Sequence, residues 1–115
     1  MNIVVIGNGM YTAGIGTSTF GTILPALIEH ERYLKNKNKI HIIGRNKINI
    51  LKAKQKYNKL KKKSGVSLDI YFYPEKSQSA NYRDILKKIP HPICAIIAVP
   101  DHKHYEVVKY CLKLD

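Results

Sequence analysis

Short apolar runs alternate with amphipathic segments along this chain of 115 residues, and this alternation constrains the fold more than any other feature. Each apolar run stops at a glycine or a proline, which is typical of strands buried on both faces. The runs lie at 2–6, 39–43, 67–73 and 93–99. The segments between them carry apolar residues three and four positions apart, which predicts helices. This β-α alternation predicts an α/β protein with a parallel sheet.

Helices are expected at 22–34, 46–64 and 82–89, and from residue 101 onward. Because crossovers between parallel strands are right-handed, we expect a three-layer, doubly wound, Rossmann-like sheet with strand order 3-2-1-4. The whole chain, 1–115, then forms one domain. Ligands of such folds bind at the carboxyl ends of the strands, where the strand order reverses. The residues that follow each strand are therefore the candidate site.

The first strand is followed by Gly7, Asn8, Gly9 and Met10. A glycine directly after the strand allows a sharp turn, and a glycine two positions later lets a pyrophosphate approach the backbone. The third glycine of the usual fingerprint is missing, and Thr12 or Ala13 stands near its place. The turn predicts dinucleotide binding, with glycines needed only for turn geometry as the alternative. A longer loop with Gly14, Gly16 and Gly21 follows, and spacing alone leaves open which glycines contact phosphate and whether this loop covers a cofactor.

The second strand is followed by Gly44, Arg45 and Asn46, and no acidic residue occurs between Glu31 and Asp69. An NAD site normally places Asp or Glu here to bind the ribose hydroxyls. A guanidinium instead binds a 2′-phosphate through two hydrogen bonds, and a carboxylate would repel that phosphate. The residues therefore favour NADP over NAD. The alternative is that Arg45 is a solvated residue at a helix start.

The fourth strand ends in Ala98, Val99 and Pro100, and His104 follows in the next helix. Small residues at a strand end let a flat ring lie close to the backbone, and the proline stiffens the turn. We expect His104 to point from the first helical turn toward the crevice. A packing or surface role is the alternative for this histidine.

The segment from Ala95 to His104 is an apolar strand followed by Val-Pro and a histidine four residues on. It resembles the fourth-strand motif of the glucose–fructose oxidoreductase and inositol 2-dehydrogenase family (Gfo/Idh/MocA). The Gly-Asn-Gly turn at 7–9 and the run at 21–27 are similar to the same family, so the resemblance covers essentially the whole chain. It implies an NAD(P)-dependent oxidoreductase that acts on a sugar, cyclitol or related polyol by hydride transfer.

The resemblance also implies roles for individual residues. Gly7, Asn8, Gly9 and Met10 would contact the pyrophosphate, Gly44, Arg45 and Asn46 would lie at the adenosine ribose, and Ala98, Val99, Pro100 and His104 would flank the nicotinamide. The family's catalytic lysine lies in a Glu-Lys-Pro motif on the next strand, and no lysine here has that context, so no catalytic residue is assigned. We expect 1–115 to be the NAD(P)-binding domain of a longer homo-oligomeric enzyme whose second domain binds the substrate. The isolated chain is then expected to be inactive.

Lysine and arginine number 20 against 8 acidic residues, which gives a formal charge of +12. Such an excess of positive charge can support binding of nucleic acid or of an anionic ligand, although an A/T-rich genome produces a similar excess of lysine. Three rival interpretations remain: a stand-alone nucleotide-binding regulatory domain, a nucleic-acid-binding protein that uses the lysine-rich helix at 47–63, and a methyltransferase. That helix has an apolar face and few arginines, which disfavours nucleic acid as a partner.

Cys94 and Cys111 are too few for a disulfide framework and lie in apolar surroundings, so we expect both to be reduced core residues of a cytoplasmic protein. No Cys/His cluster has zinc spacing, so no metal site is expected. No apolar run approaches the ~18 residues of a membrane span. The first residues also lack the features of a signal peptide, so neither a membrane span nor export is expected.

Overall fold

The computed structural model describes residues 1–114, apart from the side chain of Met10. The elements are β1 Asn2–Ile6, α1 Met10–Ala13, α2 Ile23–Glu31, β2 Lys39–Ile43, α3 Lys47–Ser64, β3 Asp69–Tyr73, α4 Tyr82–Lys88, β4 Ile93–Ile97 and α5 Asp101–Lys113. The predicted alternation of strands and helices is confirmed. Several bounds differ from the prediction. The glycine-rich segment contains the single turn α1, the helix expected at 22–34 is the shorter α2, and the strand expected at 93–99 ends at Ile97.

The four strands form one parallel sheet in the order β3-β2-β1-β4, which confirms the α/β class and the predicted strand order. In the register, Ile3 of β1 stands beside Ile40 of β2 and Cys94 of β4. The strand expected from residue 67 begins instead at Asp69, because the Leu68 N–H bonds the Tyr57 hydroxyl at 2.8 Å. The sheet therefore brings the carboxyl ends of β1, β2 and β4 to one edge.

Successive side chains of β1 enter two different hydrophobic clusters, as expected because they alternate between the faces of a strand. Ile3 and Val5 pack in the larger cluster with apolar residues of α2 and α3. Val4 and Ile6 pack in a smaller cluster with Leu86 of α4 and residues of α5. Burial on both faces explains why this strand is a continuous apolar run rather than an alternating one.

The lysine-rich helix α3 has a signal at each end. The Asn46 side chain accepts a hydrogen bond from the Asn49 N–H at 2.9 Å, which satisfies a free donor of the first turn. Gly65 ends the helix in the left-handed conformation, with φ of 74°, and its N–H bonds the Lys61 carbonyl. The spacing of the apolar residues correctly identifies the buried face, which is formed by Ile50, Ala53, Tyr57 and Leu60.

His41 of β2 is a buried polar residue whose two ring nitrogens both have partners. Nε2 lies 2.9 Å from Asn2 Oδ1, and Nδ1 lies 3.0 Å from the Tyr73 hydroxyl. The Asn2 amide nitrogen donates to the Pro90 carbonyl, so Oδ1 is the acceptor and Nε2 carries the proton. Burial lowers the pKa of His41, and nearby Lys39 lowers it further. The folded protein therefore favours the neutral ring.

The two outer strands of the sheet differ in character. β4 carries no charged residue, and an apolar groove of about 330 Å³ runs between it and α5. Cys94 and Ala95 on β4 are exposed and Cys111 is half-buried, so the core position predicted for the two cysteines is wrong, because β4 is an outer strand. β3 begins with Asp69 and is followed by Pro74. Among the described helices, none has the length and apolar character needed to cross a bilayer.

Candidate functional site

A cleft of about 470 Å³ lies at the carboxyl ends of β1, β2 and β4, where the strand order reverses. Its volume falls in the range of small-molecule and cofactor pockets. The structure brings eight of the predicted site residues together in its lining: Gly7, Asn8, Gly9, Gly44, Arg45, Ala98, Val99 and Pro100. The three turns that follow the strands therefore converge on one space, as the topology predicts.

Gly7 is required by the fold itself. Its φ is +116°, in the left-handed region, and an added Cβ would overlap the Ala98 backbone carbonyl of the neighbouring turn. The Gly7 N–H donates to the Ile43 carbonyl at 2.8 Å. The buried Thr12 hydroxyl in turn donates to the Gly7 carbonyl at 2.9 Å. Thr12, near the place of the third fingerprint glycine, thus ties the turn together.

Gly9 is not required by any contact of the described residues. Apart from its two chain neighbours, an added Cβ would meet no atom within 4 Å, and its backbone lies outside the left-handed region. The Gly9 carbonyl accepts a hydrogen bond from the Ala13 N–H at 3.1 Å, which closes the short helix α1. Met10 opens that helix, and its side chain lies outside the described part of the structure. The space beside Gly9 is therefore free for a ligand to approach the backbone.

Asn8 and Gly44 form a steric pair between the turns after β1 and β2. An added Cβ at Gly44 would lie 2.6 Å from Asn8 Nδ2, although the backbone of Gly44 is not left-handed. Asn8 Nδ2 is itself buried and has no hydrogen-bond partner among the described residues. A buried amide donor without an acceptor is costly, so this atom is a candidate ligand contact. The pair also excludes an acidic side chain from the end of β2 unless Asn8 moves.

Arg45 and Asn46, which follow Gly44, differ in their surroundings. The Arg45 side chain is exposed, lines the cleft, and makes no hydrogen bond or ion pair within residues 1–114. Asn46 caps α3 with its side chain, and its backbone forms an isolated bridge with Ser79. The guanidinium is thus available to a ligand, whereas the Asn46 amide already has a structural role. A ribose contact by Asn46 stays a prediction.

The turn after β4 is held by the residue expected to face the nicotinamide. His104 Nε2 lies 2.7 Å from the Val99 carbonyl, and because a carbonyl can only accept, this nitrogen carries the proton. The Ala98 N–H donates to the Ile6 carbonyl at 2.8 Å, and Pro100 stands at the N-cap of α5. The structure therefore places the half-buried His104 ring against its own turn, where it fixes Val99 and Pro100 at the cleft.

The cleft has further walls that the sequence does not predict. They come from the start of α4 and the segment before it, and from α5: Ala80, Asn81, Tyr82, Lys103, Glu106 and Val107. The loop before α4 is held at this place because the Ala80 N–H bonds the Arg45 carbonyl and the Lys47 N–H bonds the Gln78 carbonyl. These contacts join residues more than 30 positions apart, and no local sequence signal identifies them.

The long glycine- and threonine-rich loop is bound to α3. Lys56 Nζ donates to the Thr17 carbonyl at 2.8 Å and to the Thr19 carbonyl at 2.7 Å. Both Lys56 and Lys63 lie 5.8 Å from the centre of the Phe20 ring. An added Cβ at Gly14 would overlap the Thr19 carbonyl, so this glycine serves the loop's own conformation. These contacts give the loop a structural role, and a role as a cofactor lid stays a prediction.

The cleft combines backbone turns open to a ligand, a buried amide donor and an unpaired guanidinium, a set of groups suited to phosphate and ribose. Within the described residues, no group of three or more His, Cys, Asp or Glu could hold a metal ion. No known family model, curated protein or solved structure matches the chain. The function is therefore argued from the cleft.

Proposed function

We propose that the cleft binds a nicotinamide dinucleotide, NADP in preference to NAD, and that the chain is the cofactor-binding domain of an oxidoreductase. The observation that carries the proposal is the open space beside Gly9, in a cleft that Arg45 also lines with an unpaired guanidinium. Phosphates need close access to backbone N–H groups, and a 2′-phosphate needs a cation. Both requirements meet at the carboxyl ends of β1 and β2, the usual position of a dinucleotide.

The same proposal includes a three-layer, doubly wound Rossmann-like arrangement. Two hydrophobic clusters support it, since alternate residues of β1 pack with α2 and α3 in one cluster and with α4 and α5 in the other. The strand order 3-2-1-4 agrees with a sheet wound in both directions from β1. In this arrangement the crevice for the cofactor opens between the turns after β1 and β4.

Each part of the cleft has a proposed role toward the cofactor. The backbone at Gly9 and the amide of Asn8 bind the pyrophosphate, and Arg45 binds the 2′-phosphate of the adenosine ribose. Val99 and Pro100, held in place by His104, border the nicotinamide. When bound, the nicotinamide supplies the hydride chemistry, and the residues of this chain bind and orient it.

The preference for NADP rests on what the end of β2 lacks. A carboxylate side chain at Gly44, which would bind the ribose hydroxyls of NAD, would require Asn8 to move, because its Cβ would stand 2.6 Å from Asn8 Nδ2. No acidic residue lies between Glu31 and Asp69 to take this role from a neighbouring position. Arg45 therefore places a positive charge at the end of β2 for the 2′-phosphate, and no neighbouring carboxylate opposes it.

The substrate class follows from the resemblance to the Gfo/Idh/MocA family. The whole protein is proposed to oxidise or reduce a sugar, cyclitol or related polyol, with the substrate and the proton-transfer group held by a second domain. Hydride transfer needs a substrate carbon positioned against the nicotinamide. Residues 1–115 alone are accordingly expected to show no turnover of a polyol. The whole protein is proposed to be a cytoplasmic homo-oligomer.

Calorimetric titration of the chain with NADP, and separately with NAD, at physiological salt tests the proposal. We expect saturable binding of NADP, at least about tenfold tighter than NAD, because a bidentate charged contact contributes about 1.5–3 kcal/mol. Arg45→Ala should remove this preference. Arg32→Ala is the matched control, since it removes the same charge from a residue paired with Glu29. Failure of the wild type to bind either dinucleotide would contradict the proposed function, and tighter binding of NAD would overturn the role of Arg45.

A further inference from the structure

A second groove, of about 550 Å³, lies between α3 and β3, the outer strand of the sheet, and shares no lining residue with the cleft. β3 pairs with β2 alone in the sheet of the described residues, so its other edge presents unpaired backbone N–H and C=O groups. The lining of the groove mixes polar residues with apolar ones, among them Leu51 of α3 and Ile70 and Phe72 of β3. A free strand edge beside such a groove suits another polypeptide in extended form.

Three lysines of α3 line this groove in a row. Lys47, Lys54 and Lys61 are spaced seven residues apart, so they lie on the same side of the helix. The ion pairs of the described residues involve other side chains. Glu75 is the acidic residue in the groove's lining, and the sequence carries no acid between Glu31 and Asp69. The positive charge of the row is therefore not neutralised within its own helix.

The lysines on the other flank of α3 are engaged by the protein itself. Lys56 binds the Thr17 and Thr19 carbonyls, and Lys63 lies against the Phe20 ring. No such contact is made by the side chains of Lys47, Lys54 and Lys61 within residues 1–114. Lys47, Lys54 and Lys61 thus leave three charges available to a partner on the flank that faces the free edge of β3, while the exposed Lys52, Lys59 and Lys62 lie outside the groove.

We propose that this groove docks an acidic, extended segment of a partner protein. The segment adds to the edge of β3 through main-chain hydrogen bonds and places carboxylates against Lys47, Lys54 and Lys61. The row spans about 21 Å along the helix, a length that about six extended residues cover. A second copy of this chain is a poor occupant because each copy carries a formal charge of +12.

A polypeptide suits the groove better than a nucleic acid does. The unpaired edge of β3 matches the main-chain donors and acceptors of a peptide, and nucleic acid has no counterpart for this ladder. α3 contains no arginine, the residue whose planar guanidinium best matches phosphate. The apolar residues in the lining also offer contacts to side chains of an added strand.

The test measures binding of a fluorescein-labelled peptide of alternating Glu and Val, eight residues long, by fluorescence anisotropy at physiological salt. The variant Lys47→Gln/Lys54→Gln/Lys61→Gln is compared with Lys52→Gln/Lys59→Gln/Lys62→Gln, which removes equal charge elsewhere on α3. The groove variant should weaken binding about tenfold and the control variant less than about threefold, since exposed charge contacts act locally at this salt. Glutamine keeps helix propensity close to that of lysine, so both variants are expected to fold.

Two further peptides test the main-chain ladder, one N-methylated on every Glu and one on every Val. In an added strand, every second residue directs its backbone N–H group toward β3, and the residues between them direct theirs away from it. One methylated peptide should therefore lose binding while the other keeps it. The proposal is overturned by equal losses in the two lysine variants, by equal behaviour of the two methylated peptides, or by no binding of the parent peptide. Tighter binding of a 16-base-pair DNA duplex, weakened equally by both variants, would assign the charge to nucleic acid instead.

Discussion

Gly7 and Gly9 stand two residues apart in the same turn, yet the structure surrounds them in opposite ways. The position of Gly7 is closed, since its φ of +116° and the Ala98 carbonyl both exclude a side chain. The position of Gly9 is open, with no atom apart from its two chain neighbours within 4 Å of an added Cβ. The comparison separates a glycine that the fold needs from a glycine that leaves space beside the backbone. Gly44 is intermediate, because a side chain rather than the backbone closes it.

The largest effect on stability is expected from Gly7→Ala. The new Cβ meets a backbone carbonyl and the residue must keep a left-handed conformation, so the loss should be on the order of 3 kcal/mol or more. Urea denaturation followed by circular dichroism measures it. Gly9→Ala in the same turn is the matched control. A loss below about 1 kcal/mol for Gly7→Ala would mean that the turn after β1 adapts to a side chain.

Gly44→Ala is expected to cause a smaller loss of stability, which a second substitution can restore. The clash is with the Asn8 amide, so the variant should lose about 1–2 kcal/mol. Asn8→Ala removes that amide and should restore most of the loss in the double variant. The measurement is a double-mutant cycle, with a coupling free energy of about 1 kcal/mol expected. Strictly additive effects would show that Asn8 does not close the space at Gly44.

His41 is a buried polar residue, in contrast to these glycine positions, and its contribution to the stability of the fold depends on pH. Because burial lowers the pKa of His41 in the folded protein, the unfolded chain takes up the proton first as the pH falls. Stability should therefore decrease as the pH falls below about 6.5, the ordinary pKa of histidine. His41→Gln keeps a donor and an acceptor for Asn2 and Tyr73. Urea unfolding at pH 7.5 and 5.5 should show a smaller decrease for this variant than for the wild type.

The smallest effect on stability is expected from Gly9→Ala, which should change the free energy of unfolding by less than about 0.5 kcal/mol. The same variant should weaken NADP binding at least about tenfold, because the methyl group fills the space proposed for the pyrophosphate. Calorimetry and urea unfolding on one preparation separate the two results. Unchanged affinity for NADP would place the phosphates elsewhere in the cleft.

Much of the fold could be predicted because a strand that is buried on both faces appears in the sequence as a continuous apolar run. Val4 and Ile6 pack on one side of β1 and Ile3 and Val5 on the other, so the run is apolar throughout. The strand order followed from the handedness of crossovers, which depends on backbone chirality rather than on individual residues. The ends of the elements were harder to predict. Leu68 lies outside β3 because its N–H bonds the hydroxyl of a tyrosine in α3.

The candidate site was predictable in position but not in detail. Spacing cannot distinguish Gly7 from Gly9, because the difference lies in what surrounds each Cβ and depends on the turn after β4. Asn46 was predicted to lie at the adenosine ribose, and what the structure shows is its role as the cap of α3. The walls at Asn81 and Lys103 come from distant segments, so only the folded chain brings them to the cleft.

The uncharged outer strand β4 has a consequence for how the chain behaves in concentrated solution. Five residues without a charge, beside an apolar groove, offer neighbouring molecules an edge on which sheets can join. Long-range repulsion between molecules of charge +12 opposes this joining at low ionic strength. Added salt shortens the reach of that repulsion to about 3 Å at 1 M. Light scattering should therefore detect larger particles as the salt concentration is raised. Association would then depend on ionic strength and not on unfolding.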